Sequence, residues 1–415
     1  MTATGIAFFS APGLTGVQIA AWRAFAATVP WAHYRQDPAW AETERREGGL
    51  SARQPWFFWA EKDGSLCLTA IGIKRRLPVP GYVFWEFNYG PTFLEPQVLD
   101  AWLPALRDQL GRTAARVRLQ PPVPLASGGD DVETLLERDG FTRQRQHGGW
   151  TTLLLNISPD ETQILADLRS ATQRAIKKSR NLGVTVGAED TPNGWATIAG
   201  LQTDLGRRAP VPPLDTETMA RISTHWLHGS AATEASAMPA GGPADPAGAG
   251  GTALVARHRG LAVAAALVVT YHGTAHLPII PSSRRGGDVP ASHLLVWEVI
   301  RWAKAHGCAA LDFVGYGMTA QPGDAMSGIN QFKRGFAPLD NLVRSVAMHE
   351  IVLAPVVVGL AGAARKAQSL LARRGARPPA PSSSVVSPSS DPALANPAPS
   401  APPAPPAPRT AAPEE

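Results

Sequence analysis

The sequence predicts a mixed α/β protein made of two blocks with the same outline, followed by a tail that does not fold. Three observations predict it. Apolar residues alternate at strand spacing in some segments and recur at helical spacing in others. The succession of helix, antiparallel strands, crossover helix and further strand is met twice. After Arg374 the composition changes abruptly, with 13 prolines among the 39 residues 377–415.

In the first block, residues 1–148, "VQIAAWRAFAATV" reads as a helix and Pro38 to Glu47 as a second. Strands are expected at "PWFFWAE", "LCLTAIGIKRRL" and "GYVFWEFNYGP", then a helix "PQVLDAWLPALRDQLGR" and a strand "AARVRLQP". The second block, residues 149–344, opens on the strand "WTTLLLNI". One continuous helix is expected over "SPDETQILADLRSATQRAIKKSRNLG", with Ser158 as N-cap, Glu161 completing a capping box and Gly183 as the stop. "GTALVARH" and "LAVAAALVVTYHGTAHLPII" follow as strands joined by "RG" and "HG" turns. The helix "PASHLLVWEVIRWAKAHG" and the strand "CAALDFVGY" come next. Residues 229–251, rich in Ala, Gly and Pro, read as a long flexible surface insert. Residues 345–375 are assigned to a C-terminal helix, and residues 376–415 to a disordered Pro/Ala-rich tail that cannot bury enough apolar surface to fold.

At 415 residues the chain is long enough for two domains with real cores. The net charge of +5, from 39 basic and 34 acidic residues, favours anionic partners only mildly. Cys67 and Cys308 lie far apart with no CxxC, which argues against a disulfide framework or zinc ribbon and suits a reducing cytoplasm. The N-terminus lacks the basic region and the apolar run of a signal peptide. The nearest approach to a membrane span, "IVLAPVVVGLAGAA" (351–364), is too short and contains Pro355. Followed by Arg365, Lys366, Arg373 and Arg374, it suits a helix packed on the fold or one facing anionic lipid. The expectation is a cytoplasmic monomer, with peripheral contact at the inner face of the cell membrane as a further option.

Three segments bear on chemistry. The stretch "RSATQRAIKKSR" (169–180) carries Arg169, Arg174, Lys177, Lys178 and Arg180 without an acid. It is either a solvated basic face or a seat for phosphate or an RNA backbone. The loop "PSSRRGGDVPA" (281–291) lies between a strand and a helix, where backbone N–H groups can receive an anion. The GNAT acetyltransferase fold holds the coenzyme A pyrophosphate at this place, and Arg284 to Gly287 satisfy the first half of its pattern, with Val289 where a small residue belongs. Finally, "GINQFKRGFAP" (328–338) sets Lys333 and Arg334 between Phe332 and Phe336 on what reads as a loop. His225 with His228, and His272 with His276, lack a completing carboxylate, so no metal is expected. Neither a GxSxG elbow nor a GxxxxGK[ST] loop is present, which argues against covalent serine catalysis and nucleotide hydrolysis.

Taken in order, "LRSATQRAIKKSRNLGVTV", "VPASHLLVWEVIRWAKAHGCAALDFVGY" and "GINQFKRGF" resemble the signatures of the FemABX-type peptidoglycan-bridge aminoacyltransferases. "RRLPVPGYVFWEFNYGP" is similar, more loosely, to a first-domain stretch of that family, and the resemblance covers roughly residues 15–375. It implies two tandem GNAT-like domains and transfer of an amino acid from aminoacyl-tRNA to an amine of a peptidoglycan precursor's stem peptide. The precursor is lipid-linked or UDP-linked, and no cofactor is implied. The ester is already activated, so catalysis needs positioning, loss of a proton and stabilisation of oxyanion charge.

By the family motif, Lys333 and Phe332 match the reaction centre, and Arg334 faces phosphate. Arg174, Lys177, Lys178 and Arg180, with Arg284 and Arg285, are candidates for tRNA or phosphate binding. "LQTDLGRRAP" resembles a segment whose arginine holds the precursor's phosphates, which points to Arg207 or its neighbour Arg208. Tyr89, Glu95, Asp312 and Tyr316 are candidates for lining the acceptor site, Glu95 as a proton acceptor. The family often has a lysine four residues after the tryptophan matched by Trp40; Glu44 stands there instead. Two rival readings remain: an acyl-CoA-dependent N-acyltransferase of the same fold, for which coenzyme A would be the donor, and a non-catalytic RNA- or envelope-binding protein.

Overall fold

The computed structural model describes residues 5–144, 151–207, 211, 214–227, 249–283, 287–318, 320 and 324–375. The first block contains β1 (Ile6–Ala11), α1 (Gly16–Thr28), α2 (Pro38–Glu44), β2 (Arg53–Lys62), β3 (Ser65–Arg76), β4 (Val83–Phe87), β5 (Thr92–Phe93), α3 (Pro96–Leu110), β6 (Ala114–Leu119), α4 (Gly129–Arg138) and β7 (Thr142–Arg143). The second contains β8 (Thr151–Asn156), α5 (Glu161–Asp167), α6 (Ser170–Asn181), β9 (Thr185–Ala188), α7 (Pro192–Gly206), α8 (Thr216–Ile222), β10 (Gly250–His258), β11 (Leu261–Tyr271) and β12 (Thr274–Ile279). It continues through α9 (Ala291–Ala305), β13 (Ala310–Asp312), α10 (Ala325–Lys333) and β14 (Leu342–Arg344). β15 (His349–Val352) and α11 (Pro355–Gly375) follow.

Local chemistry fixes the hairpins. The pairs Asp63-Gly64, Arg259-Gly260 and His272-Gly273 all stand at positive φ, as tight antiparallel connections require. Two strands of the first block, β2 and β3, and three of the second, β10 to β12, are thereby paired without a long loop. The sheets run β1-β2-β3-β4-β6-β15-β7 and β14-β8-β13-β12-β11-β10-β9. Each contains one parallel pair, β4 with β6 and β12 with β13, spanned by a crossover helix, α3 or α9. The duplicated architecture read from the sequence is therefore present, strand for strand, at the centre of both sheets.

The three largest buried clusters hold this together. One lies between the first sheet and α3 and α4, with Phe58, Phe87, Trp102 and Leu136 at its centre. Another packs α6 and α9 on the second sheet around Leu295, Ile300 and Phe313. The third joins the blocks: Tyr34 and Trp40 of the first pack with Trp195, Trp226 and Tyr271 of the second. Residues up to Arg365 form one compact unit, and a second begins at Lys366.

Several expectations are corrected. The long helix over 158–183 is two, because Leu168 turns extended, with ψ 150°, before α6 begins. Gln173 donates to the Leu168 carbonyl at 2.7 Å, which satisfies a group the break would orphan. Asp160, rather than Ser158, is the N-cap of α5, accepting from the Gln163 N–H at 2.9 Å. Residues 349–352 form an edge of the first sheet, not part of a C-terminal helix, and α11 starts at Pro355, where a missing N–H costs nothing. "GINQFKRG" is not a loop: Gly328 lies inside α10 and Lys333 ends it. The boundary at 148/149 falls outside the described residues, as do most of the expected insert and the whole tail from 376.

Candidate active site

The parallel pair β12–β13 sets His276 opposite Asp312. Both side chains are buried, and His276 Nδ1 lies 3.1 Å from Asp312 Oδ2. Asp312 Oδ1 accepts from the Thr152 hydroxyl of β8 and, at 2.7 Å, from the Val314 N–H. Burial pushes the Asp312 carboxyl up, but His276, the Thr152 hydroxyl and the Val314 N–H outweigh it and hold the group below its ordinary value. An ionised carboxylate only accepts hydrogen bonds, so the hydrogen between the two belongs to Nδ1.

After Asp312 the chain turns through Val314 and Gly315, at φ +44° and +70°. Left-handed backbone at a β-branched residue is strained, by about 1–3 kcal/mol. The turn is held from both sides. Asp312 binds the Val314 N–H, while Lys333 Nζ donates to the Val314 carbonyl at 2.7 Å and to the Gly315 carbonyl. Lys333 is only 7% exposed, and burial pulls its ammonium down to about 8 against an upward pull from Asp312. An ammonium has three N–H groups, so two spent on carbonyls leave one for a ligand. The neighbouring Phe332 ring meets His293 at 5.0 Å and Phe336 at 5.4 Å.

The turn that follows Lys333 abuts the basic helix. The Arg169 N–H donates to the Gly335 carbonyl at 3.2 Å, and a Cβ at Gly335 would lie 2.4 Å from Thr172 Oγ1. Only glycine permits that approach. Arg174, Lys177 and Lys178 are exposed along α6. Arg180 is not the unpaired cation that the sequence implied, since it meets Glu298 of α9 at 3.3 Å. Arg334 is half-buried, and its Nε has no hydrogen-bond partner among the described residues.

The first block supplies aromatic walls. His33 stacks on Tyr89 at 3.9 Å, and the rings of His33 and Tyr34 lie 5.3 and 5.0 Å from that of His276. Tyr89 itself stands at φ +57°, a turn conformation that aims its ring at this junction. Arg35 sits 5.4 Å over the Tyr89 ring and 5.6 Å over Trp40, and pairs with Glu44 at 3.2 Å. Glu44, the departure from the family pattern, also meets Arg53 at 2.8 Å. Burial lowers the basicity of His33 well below its ordinary value, with His276 and Arg35 adding to the effect. Burial likewise raises the Tyr34 and Tyr89 phenols, so these walls stay neutral.

Comparison with known proteins agrees with this geometry at the level of the fold. A family profile described as an acetyltransferase (GNAT) domain matches residues 234–334. The crystal structure of FemX superposes with a TM-score of 0.67 at 14% identity, covering 85% of this chain and 99% of that one. The chain has the fold of the FemX structure. A tandem GNAT protein from the clavulanic acid biosynthesis pathway also matches, with a TM-score of 0.49, 12% identity, and 83% and 98% of the two chains covered. No curated protein sequence matches this chain. Fold and profile together support an acyltransferase of the GNAT fold.

Within this fold the remaining candidates are scattered. Tyr316 is half-buried against the second block's core, its N–H donating to the Thr151 carbonyl at 2.6 Å. Glu95 is exposed at the N-terminus of α3 and makes none of the junction's contacts. Arg207 ends α7, pairs with Asp204 at 3.3 Å and, with Thr203, Ser283 and Ala262, lines a pocket of about 400 Å³. Arg208, Arg284 and Arg285 lie outside the described residues. The sequence reading missed His276 as a partner of Asp312, and missed Thr152, His33, Tyr34 and Arg35 altogether. Their pairing runs across the crossover and between blocks, where no spacing rule reaches.

Proposed function

We propose that this chain transfers an amino acid from aminoacyl-tRNA to an amine of a peptidoglycan precursor's stem peptide. The observation that carries the reading is Lys333. A buried ammonium with one N–H to spare, held against a strained turn, suits the charge that grows on an ester oxygen during acyl transfer. Its low dielectric surroundings strengthen that interaction relative to water. The exposed cations of α6 begin within one turn of the segment that follows Lys333, and a tRNA backbone laid along them reaches its ester end toward it. Arg207 is assigned to the precursor's phosphates, and Tyr89 and Tyr316 to the acceptor's walls. The protein acts as a cytoplasmic monomer that meets the membrane peripherally through α11.

The acyl-CoA reading is favoured by two observations, the profile match and the pocket beside Ser283, which borders the loop where GNAT enzymes hold coenzyme A. One experiment separates the readings. Purified protein receives mixed radiolabelled aminoacyl-tRNAs and a cell-wall precursor, with labelled acetyl-CoA in a parallel tube. Label moving from tRNA to the precursor is expected. Label moving only from acetyl-CoA would keep the fold and replace the function.

A further inference from the structure

We infer that His276 is the base that removes the proton from the acceptor amine, and that Asp312 positions it. The inference rests on the acyl-transfer reading but not on which donor is used, because any such acceptor arrives as an ammonium and must lose a proton before it attacks. Glu95, the sequence's candidate for that proton, is exposed at the N-terminus of α3 and makes none of the junction's contacts, and Lys333 is a donor.

The geometry is specific. Asp312 Oδ2 accepts from His276 Nδ1, which leaves Nε2 of the neutral ring with the lone pair. The carboxylate is itself fixed by Thr152 and by the Val314 N–H, so the imidazole is held by its partner in one tautomer and one orientation. Asp312 also joins base to oxyanion donor. The same turn that gives its N–H to Asp312 gives its carbonyls to Lys333. Proton removal and charge stabilisation are thus set a fixed distance apart by three consecutive backbone units. The charged and titratable groups around His276 are Asp312 on β13, His33, Tyr34, Arg35 and Tyr89 of the first block, and Lys333 through Asp312. Among them only Asp312 carries negative charge against the ring.

The step balances. His276 Nε2 takes a proton from the acceptor ammonium, giving the neutral amine. The amine nitrogen bonds to the ester carbonyl carbon, whose π pair moves to oxygen beside Lys333. When that pair returns, the bond to the leaving oxygen (or sulfur, for a thioester) breaks, and the leaving atom takes the second proton shed by nitrogen. The imidazolium releases the first proton to water.

Two measurements test it. Transfer rates of wild type, His276→Gln and Asp312→Asn are compared, with whichever donor is active, on the natural acceptor and on an analogue carrying an aminooxy group, which is unprotonated at neutral pH. His276→Gln is expected to lose about 100-fold or more on the amine and to lose little on the aminooxy acceptor, with Asp312→Asn following the same pattern. Equal losses on both acceptors would assign His276 a structural role and overturn the inference. Nitrogen-15 chemical shifts of the His276 ring supply a readout independent of turnover and donor. Wild type is expected to carry its hydrogen on Nδ1 with Nε2 bare, and Asp312→Asn to lose that preference. A hydrogen on Nε2 in the neutral ring of wild type would refute it even if no donor were active. Transfer from acetyl-CoA alone would sink the aminoacyl-tRNA reading while leaving both of these results interpretable.

Discussion

Lys333 concentrates two opposing demands on one side chain. It must be charged to stabilise an oxyanion, yet burial weakens its hold on the proton. Replacement by Ala is expected to cut turnover by about 100-fold, as the loss of one oxyanion donor does, with the circular dichroism spectrum unchanged. Full turnover in a folded variant would remove Lys333 from the mechanism. The same burial sets a pH signature. Because the ammonium titrates near 8 instead of its ordinary 10.5, activity is expected to fall as pH rises through about 8. Stability moves the other way. The unfolded chain binds the proton more tightly, so folding carries a penalty that is complete below about 8 and disappears on approaching 10.5. Denaturation of wild type against Lys333→Met across that window reads the second trend, and turnover reads the first. Loss of both activity and stability together would indicate general alkaline unfolding instead.

Among the elements, α6 is the one whose purpose is most open to direct test. It is amphipathic, with Thr172, Ile176 and Ser179 buried and its cations outward, so charge reversal on the outer face leaves the core untouched. Lys177→Glu with Lys178→Glu is expected to raise the KM for aminoacyl-tRNA at least about tenfold, an effect that shrinks as salt screens the contact, while the melting temperature holds. An unchanged KM would return α6 to the status of a solvated face. The sequence exposed this helix readily, since five cations without an acid need no structure to be noticed. It did not expose the break at Leu168, because a helical pattern continues through it and only the Gln173 side chain and the Gly335 contact explain the stop. The hairpins were legible for a local reason, glycine second in each turn. The helical character of 325–333 was not, because its flanking glycines and lone cations mimic a loop until the burial of Lys333 and Asn330 is known.

For the whole molecule, the two-block outline was readable from element order, while the connection between blocks was not. Tyr34, Trp40 and Trp226 look like three unrelated aromatics in sequence, and only their meeting in one cluster makes the blocks a single body. The last helix adds an outer feature. Val357, Val358 and Ala361 pack it on Phe84 and Leu77, while Leu353, Val356 and Leu360 face outward, Val356 at 76% exposure and Leu360 at 57%. With the exposed Arg365 close by, this stripe is expected to drive co-sedimentation with anionic vesicles that weakens with salt, and Val356→Glu with Leu360→Glu should abolish it. Absence of sedimentation at low salt would count against membrane contact. Among the described residues, no helix is long and apolar enough to cross a membrane.

The return of β15 to the first sheet has a consequence for synthesis. β15 lies between β6 and β7, so the first sheet cannot close until the strand at residues 349–352 has been translated, after every strand of the second sheet. Domains are usually completed in order as they leave the ribosome. Here the half made first is finished last, and its open β6 edge stays unpartnered while the second half is being made.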